Sequence, residues 1–238
     1  MKLDTWLKKV ASYNQELNNQ LKTNKDAKAL YYGFEVFDGK VFNFPKLLIV
    51  GINPGKGEAS DNKKVVEVTD EISYLDVFHE NYKEVYKNSY HLAEKTLKAF
   101  RDMEWSEKTI ESFLQTEVVK TNLYHIATEN ASGINKCINS FTNSSSKAYR
   151  DANRAFLFEL IEIMQPELVL FEGKMAYDGF IRWRLDYHDT WRENDEYGYH
   201  FDEYLKTHFI GYKRTMTTKN RAKYVAKLKA LTHGFTLK

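Results

Sequence analysis

The residues with the clearest chemical potential lie in "KLLIVGINPGKGE", residues 46 to 58. The apolar run Leu47-Leu48-Ile49-Val50 breaks abruptly into glycine, proline and lysine, the outline of a strand entering a ligand-cradling loop. Phosphate binding is one chemistry such a loop performs, and Gly51 to Lys56 has a superficial Walker A look. The spacing opposes it. A P-loop places four residues between its glycines and follows the second with Lys and a Ser or Thr hydroxyl for magnesium. Here three residues separate Gly51 from Gly55, and Gly57 stands where the hydroxyl belongs. The pattern Gly-x-Gly-x-x-Gly is missing too, and Pro54 removes one backbone N–H from any phosphate cradle.

A second group is electrostatic. The formal net charge of the 238 residues is +2. No acidic residue follows Glu203, while Lys206, Lys213, Arg214, Lys219, Arg221, Lys223, Lys227, Lys229 and Lys238 are all basic. A mildly acidic body with a basic C-terminal segment, 206–238, has the distribution of a polyanion footprint; the alternative is a solvated helix face. Lys219, Lys223 and Lys227 fall at i, i+4 and i+8, one helical face, with Val225, Leu228 and Leu231 on the other.

The elements that must position these groups follow from periodicity. Four β-rich runs stand out: Leu47–Val50, Val118–Leu123 ("VVKTNL"), Glu167–Gly173 ("ELVLFEG") and Thr207–Gly211 ("THFIG"). The first and third share a design, a proline just before the strand and a glycine at its exit. Their near-continuous apolar character predicts strands covered on both faces, as in parallel sheets. Helical patterns lie between them, in residues 89–103, 151–164 and 220–231, and an amphipathic helix is expected over residues 1–25. The alternation predicts a single α/β domain over residues 1–238, a three-layer α/β/α sandwich around a central four-stranded, mainly parallel sheet. Residues 57–90 and 186–204 read as insertions, and 139–147 as a loop. In such sheets ligands bind beyond the carboxyl ends of the strands, which places the segments after Gly51, Asn122, Gly173 and Gly211 around one crevice.

Composition sets further bounds. Charged residues at 29% and hydrophobic ones at 42% predict a water-soluble chain with a sizeable core. The N-terminus has no continuous apolar h-region, and no run reaches the ~18 apolar residues of a membrane span. The single cysteine, Cys137, excludes an internal disulfide and any iron–sulfur cluster held by this chain's thiolates alone. The expectation is a cytoplasmic, monomeric protein with no membrane partner.

These motifs resemble the uracil-DNA glycosylase superfamily. Gly51-Ile52-Asn53-Pro54-Gly55 is similar to the first motif of its mismatch-specific and single-strand-selective branches. "VVKTNLYHIAT" resembles the second strand, which in that superfamily ends in asparagine. "ELVLFEGKMAYDGF" resembles the third, with its strand-Gly-x-x-Ala turn at Gly173 and Ala176. The match covers roughly residues 45 to 230, with insertions. It implies a monofunctional DNA glycosylase, with no metal and no cofactor, that hydrolyses the N-glycosidic bond of uracil, or of a related damaged or modified base, flipped out of DNA.

The resemblance assigns roles residue by residue. Asn53 orients the attacking water; an amide carbonyl accepts a hydrogen bond but takes no proton near neutral pH, so turnover is expected to be slow. Its structural alternative is an Asx-turn residue before proline. Asn122 reads the pairing edge of the base, since an amide offers donor and acceptor together; otherwise it caps a strand end. Gly51, Ile52, Pro54 and Gly55 shape the pocket, with Tyr124 and His125 beside it, and Lys219, Lys223 and Lys227 meet phosphates. Two features depart from the superfamily pattern. Its last motif offers His-Pro or Asn-Pro followed by Ser, whereas here the fourth strand runs into Gly211-Tyr212-Lys213-Arg214-Thr215. Stabilisation of the departing base then falls to Lys213 or Arg214, which would also contact DNA. The aromatic that stacks on the base lands on Val65 and Val66; Tyr31, Tyr32, Tyr74, Phe78 and Tyr90 are the substitutes. Two other readings stand beside this one: a catalytically weak nucleic-acid-binding protein of the same fold, and a phosphate- or nucleotide-binding α/β enzyme.

Overall fold

The computed structural model describes residues 1–55, 57–79, 91–140, 143–185 and 196–235. The four apolar runs become strands β2 (Leu47–Gly51), β4 (Val118–Asn122), β6 (Leu168–Phe171) and β8 (Thr207–Tyr212). They lie side by side in the order β4-β2-β6-β8, all parallel. Each is almost wholly buried. That explains their continuous apolar sequence: a strand covered on both faces has no polar face to alternate with.

The sheet is larger than expected, with eight strands of mixed direction among the described residues rather than four. Beyond β4 lie β1 (Gly33–Phe37), antiparallel to it, and β3 (Val65–Val68), parallel to β1. The short β5 (Ile126–Ala127) also pairs with β1, and β7 (Tyr197–Asp202) runs antiparallel to β8 at the other edge. Both stretches read as insertions therefore carry an edge strand. These strands escape an apolar-run criterion because they mix charged and polar residues among their apolar ones, as in Glu35, Glu67, His200 and Asp202. The expected loop at 139–147 is also shorter than its composition suggests, because a long helix already begins at Asn143.

Alternate residues of the central strands feed two cores. Leu48, Val50, Val119, Val169, Phe171 and Phe209 face a cluster with Trp6 and Val10 of α1 (Leu3–Thr23), Leu157 and Ile161 of α7 (Asn143–Met164), and Phe180 of α8 (Lys174–Leu185). Leu47, Ile49, Val118, Leu168, Leu170 and Ile210 face the opposite cluster. It contains Leu75 of α3 (Ser73–Phe78), Leu97 and Phe100 of α4 (His91–Asp102), Phe113 of α5 (Glu107–Thr116) and Leu228 of α9 (Thr218–Leu231). Two small helices, α2 (Lys25–Lys28) and α6 (Ala131–Asn139), complete the described set. Because side chains alternate with period two, Gly51, Asn122, Glu172 and Tyr212 at the carboxyl edge all lie on the second face. No described helix is long and apolar enough to cross a membrane.

Candidate functional site

Strand register assembles the site. Gly51 pairs with Asn122 at the ends of β2 and β4, and the loops beyond stay zipped. Leu123 N donates to Gly51 O at 2.8 Å, Tyr124 N to Ile52 O at 3.0 Å and Thr128 N to Pro54 O at 3.2 Å. Gly51 is required for space: a Cβ there would overlap Asn122 Oδ1. Asn122 itself is 4% exposed, an amide held at the floor of the carboxyl edge.

Asn53 is anchored through its donor side. Its Nδ2 donates to Pro54 O at 2.8 Å and to Thr128 Oγ1 at 2.9 Å. Thr128 is fully buried and donates its own proton to Asn130 O at 2.8 Å, so its lone pair faces Asn53. The amide is thereby fixed with Oδ1 as its remaining acceptor, and Oδ1 takes no hydrogen bond among the described residues. An Asx turn would have that oxygen accept from the backbone N–H of Gly55, two residues on; here the amide nitrogen is used instead.

Other expected site residues lie elsewhere. Ile52 and Tyr124 join the α1/α7 core, on the other face of the sheet. His125 is 3% exposed, its Nδ1 3.4 Å from Asn14 Nδ2 of α1 and its backbone N donating to Asn153 Oδ1. Burial pushes its pKa down to about 3, so it is a neutral packing group. Pro54 is buried in the zipped loop and Gly55 is exposed, with open space around it. Among the stacking substitutes, Tyr31 is fully buried and donates to Asn18 Oδ1. Tyr32 and Phe78 are half-buried, Val66 sits in β3, and Tyr90 lies outside the described residues.

Lys213 and Arg214 meet in one cavity of about 150 Å³ at the β8–α9 corner, shared with Lys95, Arg221, Tyr212 and Tyr224. Among the described residues no carboxylate lines it, although Arg221 is paired with Asp102. Tyr224 is buried, and its hydroxyl has no hydrogen-bond partner among the described residues. Four cations and an unpaired hydroxyl around an anion-sized space favour a phosphate-like guest. The remaining basic tail is partly spoken for: Arg221 pairs with Asp102 at 2.7 Å and Lys229 with Glu104 at 2.5 Å. Lys227 lies 3.5 Å above the ring of Tyr199, so only Lys219 and Lys223 of the three helix lysines are fully exposed.

Sequence reasoning passed over Glu172. It follows β6 directly, is 1% exposed, and accepts hydrogen bonds at Oε1 from Tyr74 Oη and from Thr96 Oγ1 at 3.2 Å. Burial, and next the carboxylate of Asp38, raise its pKa to about 8, against a smaller opposing pull from Arg214. A carboxylate closing a four-residue apolar strand just before glycine was the available signal. Thr128 and Thr96 had none, because their partners are remote in sequence, and Tyr74, named only as a candidate to stack on the base, gave no sign of its contact with Glu172.

No family model matches the chain, and no curated protein matches it.

Proposed function

We propose that this chain is a monofunctional DNA glycosylase acting on uracil or a related damaged or modified base. The observation that carries the reading is the pairing of Gly51 with Asn122 at the carboxyl edge, next to an Asn53 amide held so that its oxygen is free to accept from water. Cleaving an N-glycosidic bond by water needs an oriented water, a reader for the base edge and a destination for negative charge on the base. Asn53 suits the first role and Asn122 the second. Helices on both faces of four central parallel strands support a three-layer α/β/α sandwich with this crevice at its carboxyl edge. The basic cavity of Lys213 and Arg214 offers a seat for a backbone phosphate, with Lys219 and Lys223 extending the footprint. Water attacks the anomeric carbon as its bond to the base nitrogen breaks, the base departs as an anion and then takes up the proton that the attacking water releases, and neither metal nor cofactor has a step.

The test is abasic-site formation in oligonucleotides carrying uracil, mismatched thymine, hypoxanthine, xanthine or modified pyrimidines. Base release from one of these, lowered roughly a hundredfold or more by Asn53→Ala with DNA affinity retained, is the expected result. DNA binding without release from any of them would favour the competing reading, a catalytically weak nucleic-acid-binding protein.

A further inference from the structure

We propose that Glu172 acts as a neutral carboxylic acid whose Oε2 donates a hydrogen bond to the departing base. This deepens the glycosylase reading and rests on it. The two oxygens of Glu172 have different surroundings. Oε1 accepts from Tyr74 Oη and Thr96 Oγ1. Thr96 Oγ1 in turn lies 3.3 Å from Tyr212 Oη, so this side of the carboxyl is held by donors reaching from α3 and α4. Oε2 takes no hydrogen bond among the described residues and lies 3.9 Å from the point where a Gly51 Cβ would stand, a point that Asn122 Oδ1 also approaches. With the donors gathered on Oε1, the proton belongs on Oε2. The buried side chain thus presents an O–H beside the amide that reads the base edge.

The surroundings keep that proton in place. The charged and titratable groups facing Glu172 are Asp38 after β1, Tyr74 of α3, Tyr212 of β8, Arg214 beyond it and Tyr224 of α9. Asp38 pairs with Lys120 of β4 in a buried ion pair, and its carboxylate opposes ionisation of Glu172. Arg214 is exposed at the rim, its Nε 3.4 Å from the Cβ point of Gly173. The cation expected to stabilise the leaving base therefore sits at the edge of the site, and the acid sits at its floor. The proton stays on Oε2 throughout: the base leaves as an anion, and the O–H donates to an oxygen on which its charge accumulates. Such a donor is worth most when charge develops.

The test compares single-turnover base release for wild type, Glu172→Gln and Glu172→Ala between pH 5 and pH 10, on the base that the wild type releases fastest. The wild-type rate should fall as pH rises through about 8, where the carboxyl ionises. Glu172→Gln keeps an N–H donor, so it should restore most of the rate that Glu172→Ala loses, roughly a hundredfold, and should lack the alkaline fall. The infrared difference between wild type and Glu172→Gln reads the same carboxyl with no DNA present, and should show a protonated carboxyl stretch persisting at neutral pH. Base release by Glu172→Ala at the wild-type rate and pH profile would overturn the proposal and leave the glycosylase reading standing. An infrared titration with an ordinary carboxylate midpoint would do the same. No release of any base by the wild type overturns both.

Discussion

Replacing Glu172 by glutamine should stabilise the protein, and by an amount that grows with pH. In the unfolded chain this carboxyl ionises near 4.5, and in the native state near 8. Below the first value both states carry the proton, so there is no penalty. Between the two the native state keeps a proton that the unfolded chain has released, and stability falls by about 1.4 kcal/mol per pH unit. Above pH 8 the penalty is complete, at most about 5 kcal/mol relative to a neutral side chain of the same shape. Glutamine offers that shape: its Oε1 can still accept from Tyr74 and Thr96, and its amide never ionises.

A working range of about 2–5 kcal/mol at pH 8 corresponds to a rise in Tm of roughly 5–15 °C for a chain of this size. The rise should shrink towards zero at pH 4.5. Thermal or urea unfolding of both proteins at pH 4.5, 6, 7 and 8 measures it, and groups common to both cancel in the difference. A Glu172→Gln effect that is the same at every pH, or that destabilises most at pH 8, would refute the claim that this carboxyl is held neutral by burial.

Other outcomes follow from the same geometry. His125, neutral and buried, should destabilise the protein as pH falls from about 6.5 towards 3, because the unfolded chain gains a proton that the native one excludes; His125→Asn should flatten that acid limb in unfolding experiments. Thr128→Val keeps the shape but removes the partner of Asn53 Nδ2, so single-turnover base release should drop about tenfold while Tm moves by only a few degrees. Gly51→Ala forces a Cβ onto Asn122 Oδ1, and should abolish reading of the base edge with DNA affinity unchanged, measured as loss of selectivity across the base panel. Among the tail lysines, Lys219→Ala and Lys223→Ala should each flatten the salt dependence of DNA binding by roughly one counterion, and Lys227→Ala by less, because its ammonium rests on Tyr199.

The parallel heart of the sheet was legible because burial on both faces leaves an unbroken apolar signature, as in Leu47–Val50 and Leu168–Phe171. The added strands were not. Gly33–Phe37 is buried along its whole length yet contains Glu35, and Tyr197–Asp202 alternates aromatic with polar residues at a sheet edge. The serine- and asparagine-rich stretch near 143 reads as a loop by composition, although such residues also open helices. At the site, Asn53 and Asn122 could be named because each sits at a strand exit next to a motif. Thr128 and Thr96 could not, and Tyr74 only as a candidate to stack on the base, since what matters about all three is a hydrogen bond to a residue about 75–100 positions away. Lys213 and Arg214 were found from their loop, whereas the helix lysines looked more alike in sequence than they are in space, where a tyrosine ring takes one of them.

The distribution of polar groups on the α3/α4/α9 face of the sheet separates a structural explanation from a functional one. Along β2, β4 and β6 the residues of that face nearest the amino ends are Leu47, Ile49, Val118, Leu168 and Leu170, all buried and apolar. Further along, the same face carries Lys120 at mid-strand, level with Ile49, and then Asn122, Glu172 and, on β8, Tyr212 at the carboxyl ends, with Asp38, Tyr74, Thr96 and Tyr224 also buried. Leucine-like residues would serve packing equally well at these positions and would avoid the cost of burying an ion pair, a carboxyl and an unpaired hydroxyl. The polar layer is thus a local departure from an otherwise consistent core, lying in the carboxyl half of the strands, the side on which α/β sheets hold their ligands, and such departures concentrate at functional sites. Its gradation carries the same message. The buried charges of Asp38 and Lys120 are paired; two strands from Lys120, burial raises the pKa of Glu172; and Lys213 and Arg214 stand at the rim. A ligand with a polar, hydrogen-bonding head and an anionic tail would meet each of these in the order in which it entered.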